Sequence, residues 1–288
     1  MAVLENEFLK VEIDAKGAQL TSICNKATQR EHIWQDDAKI WPWHAPNLFP
    51  VVGALINDEL FVDGNTYPMA RHGFARQSEF ILLECDEVHA LYSLPNSEKT
   101  LHVYPYKYDF QILYTLIENA VRITYKVINL DHKTICFSVG GHPAFNVPFN
   151  AGENYEDYYL EFEIEEKLET HLLAPEGFFN GETRPVPTPG NKLYLTKHLF
   201  DNDALVFKNL VSRQVSIKSD KHDQSVSVEF PHFNYLGLWA KGGGNFVCIE
   251  PWLGCADTVG KHVDISKKEA IQQLKIGHVF EAAFFISV

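Results

Sequence analysis

The stretches Phe110–Ile117 (FQILYTLI) and Val121–Ile128 (VRITYKVI) decide the fold. Apolar side chains recur at every second position along both, which is the period of a half-buried β-strand. Only Glu118, Asn119 and Ala120 separate them, a spacing typical of a β-hairpin. This part of the sequence therefore predicts two antiparallel strands joined by a short turn.

The same two-residue period continues outward from this hairpin in both directions. It marks further strands at residues 8–13, 158–164, 215–217, 226–230 and 280–288. Asp63-Gly64 predicts another tight turn, because these residues accept the positive φ angles that the turn needs. One capping-box pattern, beginning at Ser266, predicts a short helix that runs to Leu274. With no linker or repeat, the sequence predicts an all-β protein, a large antiparallel β-sandwich forming one domain over residues 1–288.

Composition and charge exclude several classes of protein. The formal net charge is −13, which argues against a nucleic-acid partner, because such a partner requires clustered Lys and Arg. The sequence contains neither a leader pattern nor an apolar run long enough to span a bilayer, so we expect a cytoplasmic protein that does not enter membranes. Its five cysteines are scattered, which indicates neither a disulfide framework nor a metal site. Monomer and homodimer both remain open.

Two segments place an ionisable residue after an apolar strand and directly before proline. The first is Cys136–Asn146, which contains His142, and the second is Phe246–Gly254, which contains Glu250. Because proline cannot donate to a β-ladder, we expect pairing to stop there, which places each ionisable residue on an extended backbone at the end of its strand. The alternative is a polar residue turned to water. That alternative is weaker for Glu250, because its sequence neighbours are apolar.

Two further segments carry candidate ligand-binding residues. In Arg71–Arg76 two guanidinium groups flank His72, and such groups recognise both sugar hydroxyls and phosphates. The apolar, proline-containing segment Trp43–Gly53 includes Asn47. The indole rings of Trp43, Trp239 and Trp252 could each stack on a sugar. For the first segment the alternative is a solvated basic turn, and for the second it is a buried structural loop.

Four motifs together resemble the aldose 1-epimerase, or galactose mutarotase-like, family. They are NLFPVVG (47–53), HGFAR (72–76), GGHPAFN (140–146) and CIEPWLG (248–254), in the family's order and spacing. The resemblance is closest to a bacterial mutarotase-related branch that is also similar to the hexose-6-phosphate mutarotases. It implies a β-supersandwich with an open cleft, no cofactor, and a sugar or sugar phosphate as the small-molecule partner.

The resemblance also implies roles for individual residues. Glu250 matches the family's catalytic base and His142 its catalytic acid, while His72 matches a sugar-binding group near the ring oxygen. Arg76 resembles the Arg that contacts substrate or phosphate in the hexose-phosphate branch. On this interpretation the protein interconverts the α and β anomers of an aldose by acid–base ring opening. The rival hypothesis is a non-catalytic sugar-binding or sensing protein on the same fold.

Two departures from the family pattern weaken the case for galactose as substrate. The Asn-Arg pair of authentic galactose mutarotases is absent, since Leu48 follows Asn47, and Ala54 stands where related sequences often have Arg. The family's substrate-binding Asp is also absent from residues 234–241, the region where we expect it. Trp239 and Lys241 are the candidates for that space.

Overall fold

The computed structural model describes residues 1–35 and 37–288. Strands dominate it, and they pair antiparallel throughout the named sheets. The strands are β1 (Ala2–Glu5), β2 (Leu9–Ile13), β3 (Leu20–Asn25), β4 (Arg30–Glu31), β5 (Asn47–Leu48), β6 (Glu59–Val62), β7 (Asn65–Pro68), β8 (Ile81–Cys85), β9 (His89–Pro95), β10 (Tyr108–Ile117), β11 (Ala120–Asn129), β12 (Ile135–Phe137), β13 (Val139–Gly141), β14 (Ala144–Asn146), β15 (Tyr158–Phe162), β16 (Leu168–Leu173), β17 (Phe179–Val186), β18 (Lys192–Tyr194), β19 (Leu205–Lys208), β20 (Gln214–Ser219), β21 (His222–Glu229), β22 (Tyr235–Trp239), β23 (Phe246–Leu253), β24 (Gln272–Leu274) and β25 (Val279–Ser287).

Helical structure is confined to short pieces. The α-helix α1 (Glu98–Leu101) is one turn long, and Ser97 caps it by accepting a hydrogen bond from the Thr100 backbone N–H. Single 3₁₀ turns occupy Ile56–Asp58, Ala75–Gln77, Tyr155–Asp157, Pro189–Asn191 and Ile265–Lys267. None of the helices in the described part of the chain is long and apolar enough to cross a membrane.

Two large sheets form the sandwich. One has nine strands in the order β18-β15-β20-β21-β25-β11-β10-β9-β8, and the other has the order β19-β22-β23-β13-β5 with β14 paired to β23. Aromatic rings fill the space between them, including Phe49 stacked on Phe110 with ring centroids 4.3 Å apart. A Cβ added at Gly141 would come within 2.8 Å of the Phe284 ring, so the two sheets approach closely there. The predicted all-β antiparallel fold is confirmed.

The two predicted hairpins are present, but the turn of the first is only Glu118-Asn119, because Ala120 belongs to the second strand. Strands β10 and β11 pair from Tyr108↔Asn129 to Ile117↔Ala120. Strands β6 and β7 meet at Val62↔Asn65, with Asp63 and Gly64 both at positive φ. Alternation identified β10 because every second residue from Tyr108 to Leu116 is buried, whereas β6 and β7 were identified by the Asp63-Gly64 turn.

The predicted helix from Ser266 to Leu274 is wrong. Asp264 caps a 3₁₀ turn that ends at Lys267, and Ala270 has a positive φ of 56°. Residues Gln272–Leu274 form β24, which pairs with β12. Lys268, which follows the turn, has an extended backbone, and its ammonium is buried in an ion pair with Asp257.

The prediction that pairing stops before Pro251 is also wrong. Strand β23 continues through Pro251 to Leu253, so Glu250 lies in the middle of a paired strand and not at its end. The strands that pair with one side of β23 explain why it can contain Pro251. Strands β13 and β14 leave a gap at His142-Pro143, which faces the part of β23 that contains Glu250 and Pro251, so an interrupted ladder accommodates the missing donor.

Candidate active site

The antiparallel register explains why two residues far apart in the chain meet. Gly140 pairs with Trp252, and Ala144 pairs with Cys248, so the same register puts His142 opposite Glu250. The His142 Nε2 and Glu250 Oε2 atoms are 3.2 Å apart. Directly opposite residues on adjacent strands share a face of the sheet, so a carboxylate and an imidazole project side by side.

The face that carries this pair is turned away from the nine-stranded sheet. Along β23, Val247 and Ile249 point into the sandwich core, so Cys248, Glu250 and Trp252 point to the opposite face. A cleft of about 920 Å³ opens over that face, which is within the range of about 300–1,000 Å³ common for small-molecule sites.

The cleft collects eight of the ten candidate residues named from the sequence. These are Arg71, His72, Arg76, His142, Trp239, Lys241, Glu250 and Trp252. Glycines make room for one of them: a Cβ at Gly140 or Gly237 would come within 2.5 Å or 2.6 Å of the Trp252 indole. The sheet is therefore shaped to let this ring lie across it.

Trp43 and Asn47 are the exceptions. The Trp43 ring lies against the Arg76 guanidinium, with 5.3 Å between guanidinium carbon and ring centroid. Asn47 does not line the cleft either, so its predicted contact with substrate is corrected. It is buried on the core side, where its amide donates to the carbonyl oxygens of Gly17 and Ala18 and accepts from the Tyr125 hydroxyl. The same hydroxyl also donates to the Gly140 carbonyl. Asn47 thus holds the strand that precedes His142 and has no amide atom left to offer a ligand.

This correction predicts the phenotype of Asn47→Ala. Losing the amide leaves buried partners unsatisfied, so we expect the free energy of unfolding to fall by about 2–3 kcal/mol, measured by urea denaturation. The KM for substrate should change less than about twofold, since the amide does not line the cleft. Asn65→Ala, at an exposed hairpin, is the control. A large rise in KM at unchanged stability would instead place Asn47 in the binding site.

Burial shifts the pKa values of Glu250 and His142 in the directions that favour their neutral forms. It raises the pKa of the Glu250 carboxyl well above its ordinary value, against the opposing effect of Arg71. Burial, and then the charge of Arg76, lowers the pKa of His142. Both directions follow from the cost of a charge in a poorly solvated site.

The tautomer of His72 follows from one hydrogen bond. Its Nδ1 accepts from the Gly53 backbone N–H at 3.1 Å, so the ring is neutral and carries its proton on Nε2. Burial and the charge of Arg71 lower its pKa further, which keeps it neutral. His72 therefore offers the cleft an N–H donor. Its φ of 68° is unusual for a residue with a side chain and marks a position held by its surroundings.

The cleft also contains residues that the sequence analysis missed. Trp41 stacks on His142 with ring centroids 5.1 Å apart. Asp203 lies 3.9 Å from the Arg71 guanidinium and has a φ of 72°. The Tyr155 hydroxyl is buried without a hydrogen-bond partner. Asp203 lies in the FDND segment before β19, whereas the family resemblance predicts the substrate-binding carboxylate within residues 234–241.

Unpaired polar atoms concentrate around this cleft. Among the described residues ten buried side-chain N or O atoms lack a hydrogen-bond partner, and five of them belong to residues that line it: Arg76 Nε, His142 Nδ1, Tyr155 OH, Glu250 Oε2 and Trp252 Nε1. Because such atoms are rare in folded proteins, their clustering around the cleft indicates a functional site.

The fold and the site define a galactose mutarotase-like protein. The chain is similar to the crystal structure of a galactose mutarotase related enzyme from Lactobacillus acidophilus, at 34% identity and a TM-score of 0.94, covering 99% of this chain and 96% of that one. It is equally similar in fold to a galactose mutarotase-like protein from Lactobacillus casei, at 31% identity and a TM-score of 0.94, covering 100% and 99%.

Sequence comparison gives the family. The aldose 1-epimerase family model matches residues 1–261, and the chain belongs to that family. A curated relative, the chromosomal LacX protein of Lactococcus lactis subsp. lactis, is 36% identical over 265 residues, which are 89% of this chain and 88% of the relative.

Proposed function

We propose that the protein is a mutarotase that interconverts the α and β anomers of an aldose through Glu250 as base and His142 as acid. The observation that carries this proposal is the placement of both groups in one cross-strand row, 3.2 Å apart, beneath the cleft. The anomeric hydroxyl O1 and the ring oxygen O5 are both bonded to C1. Adjacent proton acceptor and donor groups match the two oxygens that must exchange protons.

The reaction needs one proton on the pair at every stage. Glu250 takes the O1 proton while His142 protonates O5, the C1–O5 bond breaks, and C1=O1 forms. The pair then carries its proton on Glu250 instead of His142. Rotation about C1–C2 turns the other face of the aldehyde toward O5, and the reverse transfers close the ring. Hydrogen bonds from the sugar stabilise the Glu250 carboxylate and so favour the starting tautomer.

The surrounding residues supply binding and orientation. The Nε2–H of His72 is a donor for a sugar oxygen, and Trp252 and Trp239 offer apolar surface to the pyranose. We assign the substrate-binding carboxylate to Asp203 in place of Trp239 or Lys241, because Asp203 lines the cleft beside Arg71. A carboxylate held by a guanidinium is well suited to accept from two sugar hydroxyls.

The pH profile of kcat/KM tests over which pH range Glu250 and His142 together hold one proton. Burial raises the Glu250 pKa and lowers that of His142, so the pair loses its proton only at high pH and gains a second only at low pH. We therefore expect a plateau that extends well above pH 6.5. An unperturbed pair would lose its single proton above about pH 6.5, the ordinary pKa of histidine. A steep fall of kcat/KM at that point would contradict the prediction.

A phosphorylated aldose is the second candidate substrate. Within the described residues the Arg76 guanidinium has no carboxylate partner and stacks on Trp43 at 5.3 Å, while Arg71 and Lys241 also line the cleft. Guanidinium groups bind phosphate well. Comparing kcat/KM for an aldose and its 6-phosphate decides between the two, and Arg76→Gln should remove any preference for the phosphate.

A binding protein without catalysis is the competing function. Polarimetry with a panel of freshly dissolved aldoses and aldose phosphates separates the two. A mutarotase brings the rotation to equilibrium faster than buffer alone, in proportion to protein concentration. A protein that binds a sugar, by calorimetry, yet accelerates none would be a sensor.

A further inference from the structure

A thiol lies directly beside the carboxylate–imidazole pair. Cys248 is two residues from Glu250 on β23 and projects from the same face of the sheet, in the row formed with Ala144 and Trp239. Its side chain is fully buried. The proposed acid–base chemistry makes no use of it.

Three metal-binding atoms converge at this point. The Cys248 Sγ, a nitrogen of His142 and an oxygen of Glu250 all lie within 4.8 Å of one another. The 3.2 Å between His142 Nε2 and Glu250 Oε2 is close to the spacing of two ligands around a tetrahedral ion, because Zn–N and Zn–O bonds are each about 2.0–2.2 Å.

We propose that His142, Cys248 and Glu250 form an inhibitory site for a thiophilic divalent cation such as Zn²⁺. One sulfur, one nitrogen and one oxygen ligand favour zinc-like ions over Mg²⁺ or Ca²⁺, which prefer oxygen ligands. Three protein ligands leave a fourth position for water, as in other open zinc sites.

The site is built from groups that the protein leaves unsatisfied. The Glu250 Oε2 atom has His142 Nε2 3.2 Å away but makes no well-aligned hydrogen bond, and both residues are more than nine-tenths buried. Coordination would release the thiol proton and the proton shared by the pair to solvent, so binding should strengthen with rising pH. Arg71 and Arg76 oppose a cation, which predicts weaker binding than at a structural zinc site.

Bound metal would stop the reaction in a simple way. It would hold the carboxylate as a ligand and take the imidazole lone pair, so neither group could exchange a proton with the sugar. The inhibition rests on the proposed function, whereas the binding of metal does not. Metal binding and inhibition are therefore measured separately, so that failure of the metal site can be distinguished from failure of the proposed function.

Binding is measured with Cd²⁺ as a spectroscopic substitute for zinc, on chelator-treated protein. A thiolate bound to Cd²⁺ gives an ultraviolet charge-transfer band. We expect one equivalent of this band in the Cys85→Ala protein, which lacks the exposed thiol, and its loss in Cys85→Ala with Cys248→Ala or Cys248→Ser. Circular dichroism checks that each variant is folded.

Inhibition is measured as the Zn²⁺ concentration that halves the catalysed rate. Cys248→Ala and Cys248→Ser should keep the metal-free rate and raise this concentration at least about tenfold, while Cys85→Ala leaves it unchanged. A Cd²⁺ band that survives loss of Cys248 would overturn the site. Equal Zn²⁺ sensitivity of wild type and both Cys248 variants would overturn the inhibitory role. If the wild type has no mutarotase activity, the proposed function fails, and the Cd²⁺ band still decides whether the site exists.

Discussion

Glu250→Gln should lower the catalysed rate of anomer interconversion by about 10²–10⁴-fold, the range that a positioned proton acceptor usually contributes. The amide keeps the shape of the carboxyl group but cannot take the O1 proton. Since burial already favours the neutral form of Glu250, a neutral isostere should not reduce the free energy of unfolding. The loss should therefore appear in kcat, with KM changed little.

Two controls make the Glu250 result specific. Glu281→Gln makes the same chemical change at an exposed ion pair with Lys126 and should leave kcat unchanged. Sugar binding to Glu250→Gln, followed by tryptophan fluorescence, should persist because Trp252 and Trp239 still line the cleft. A Glu250→Gln protein with the full wild-type rate would remove the base from the mechanism.

The second large effect is expected on stability, at Gly73. Its φ is +72°, and a Cβ there would come within 2.3 Å of the Phe49 carbonyl oxygen, which is rigid backbone. That oxygen also accepts from the N–H groups of Phe74 and Ala75. We expect Gly73→Ala to cost about 3–5 kcal/mol, combining left-handed strain with displacement of a packed core segment.

Gly64→Ala separates these two contributions. Gly64 has a φ of +82° but nothing within 4 Å of the added Cβ, so only the left-handed strain of about 1–2 kcal/mol applies. The losses of unfolding free energy measured for the two variants by urea denaturation should therefore differ by at least about 1 kcal/mol. Equal losses would mean that the close approach of Gly73 to Phe49 does not constrain the loop that carries His72.

The fold could be predicted from the sequence because the patterns that define its strands and turns are local. In β10 and β11 the side chains themselves alternate between core and surface, and the turn residues fix the register. The helix expected after Ser266 failed for the opposite reason. A capping pattern is a local preference, whereas β24 forms by pairing with β12, which lies more than 130 residues earlier.

The site could be predicted only in part, because its geometry depends on pairing between distant parts of the chain. The prolines after His142 and Glu250 correctly indicated extended backbone, but the shared register that brings the two side chains together depends on long-range pairing. Asn47 belongs to a matching motif and still faces the core, because a strand of two residues gives no alternation from which to read a face. Trp41 and Asp203 lie outside strands and carried no periodic signal.

Exchange NMR in D₂O tests the central claim most directly. Wild-type protein, added to a panel of aldoses and their phosphates, should accelerate α–β exchange at C1 for at least one sugar and leave the C2 proton unexchanged. That pattern means ring opening by proton transfer at oxygen, which is what the Glu250–His142 pair can perform. If no aldose or aldose phosphate exchanges faster than in buffer, or if C2 gains deuterium at the rate of exchange, the pair does not catalyse this reaction.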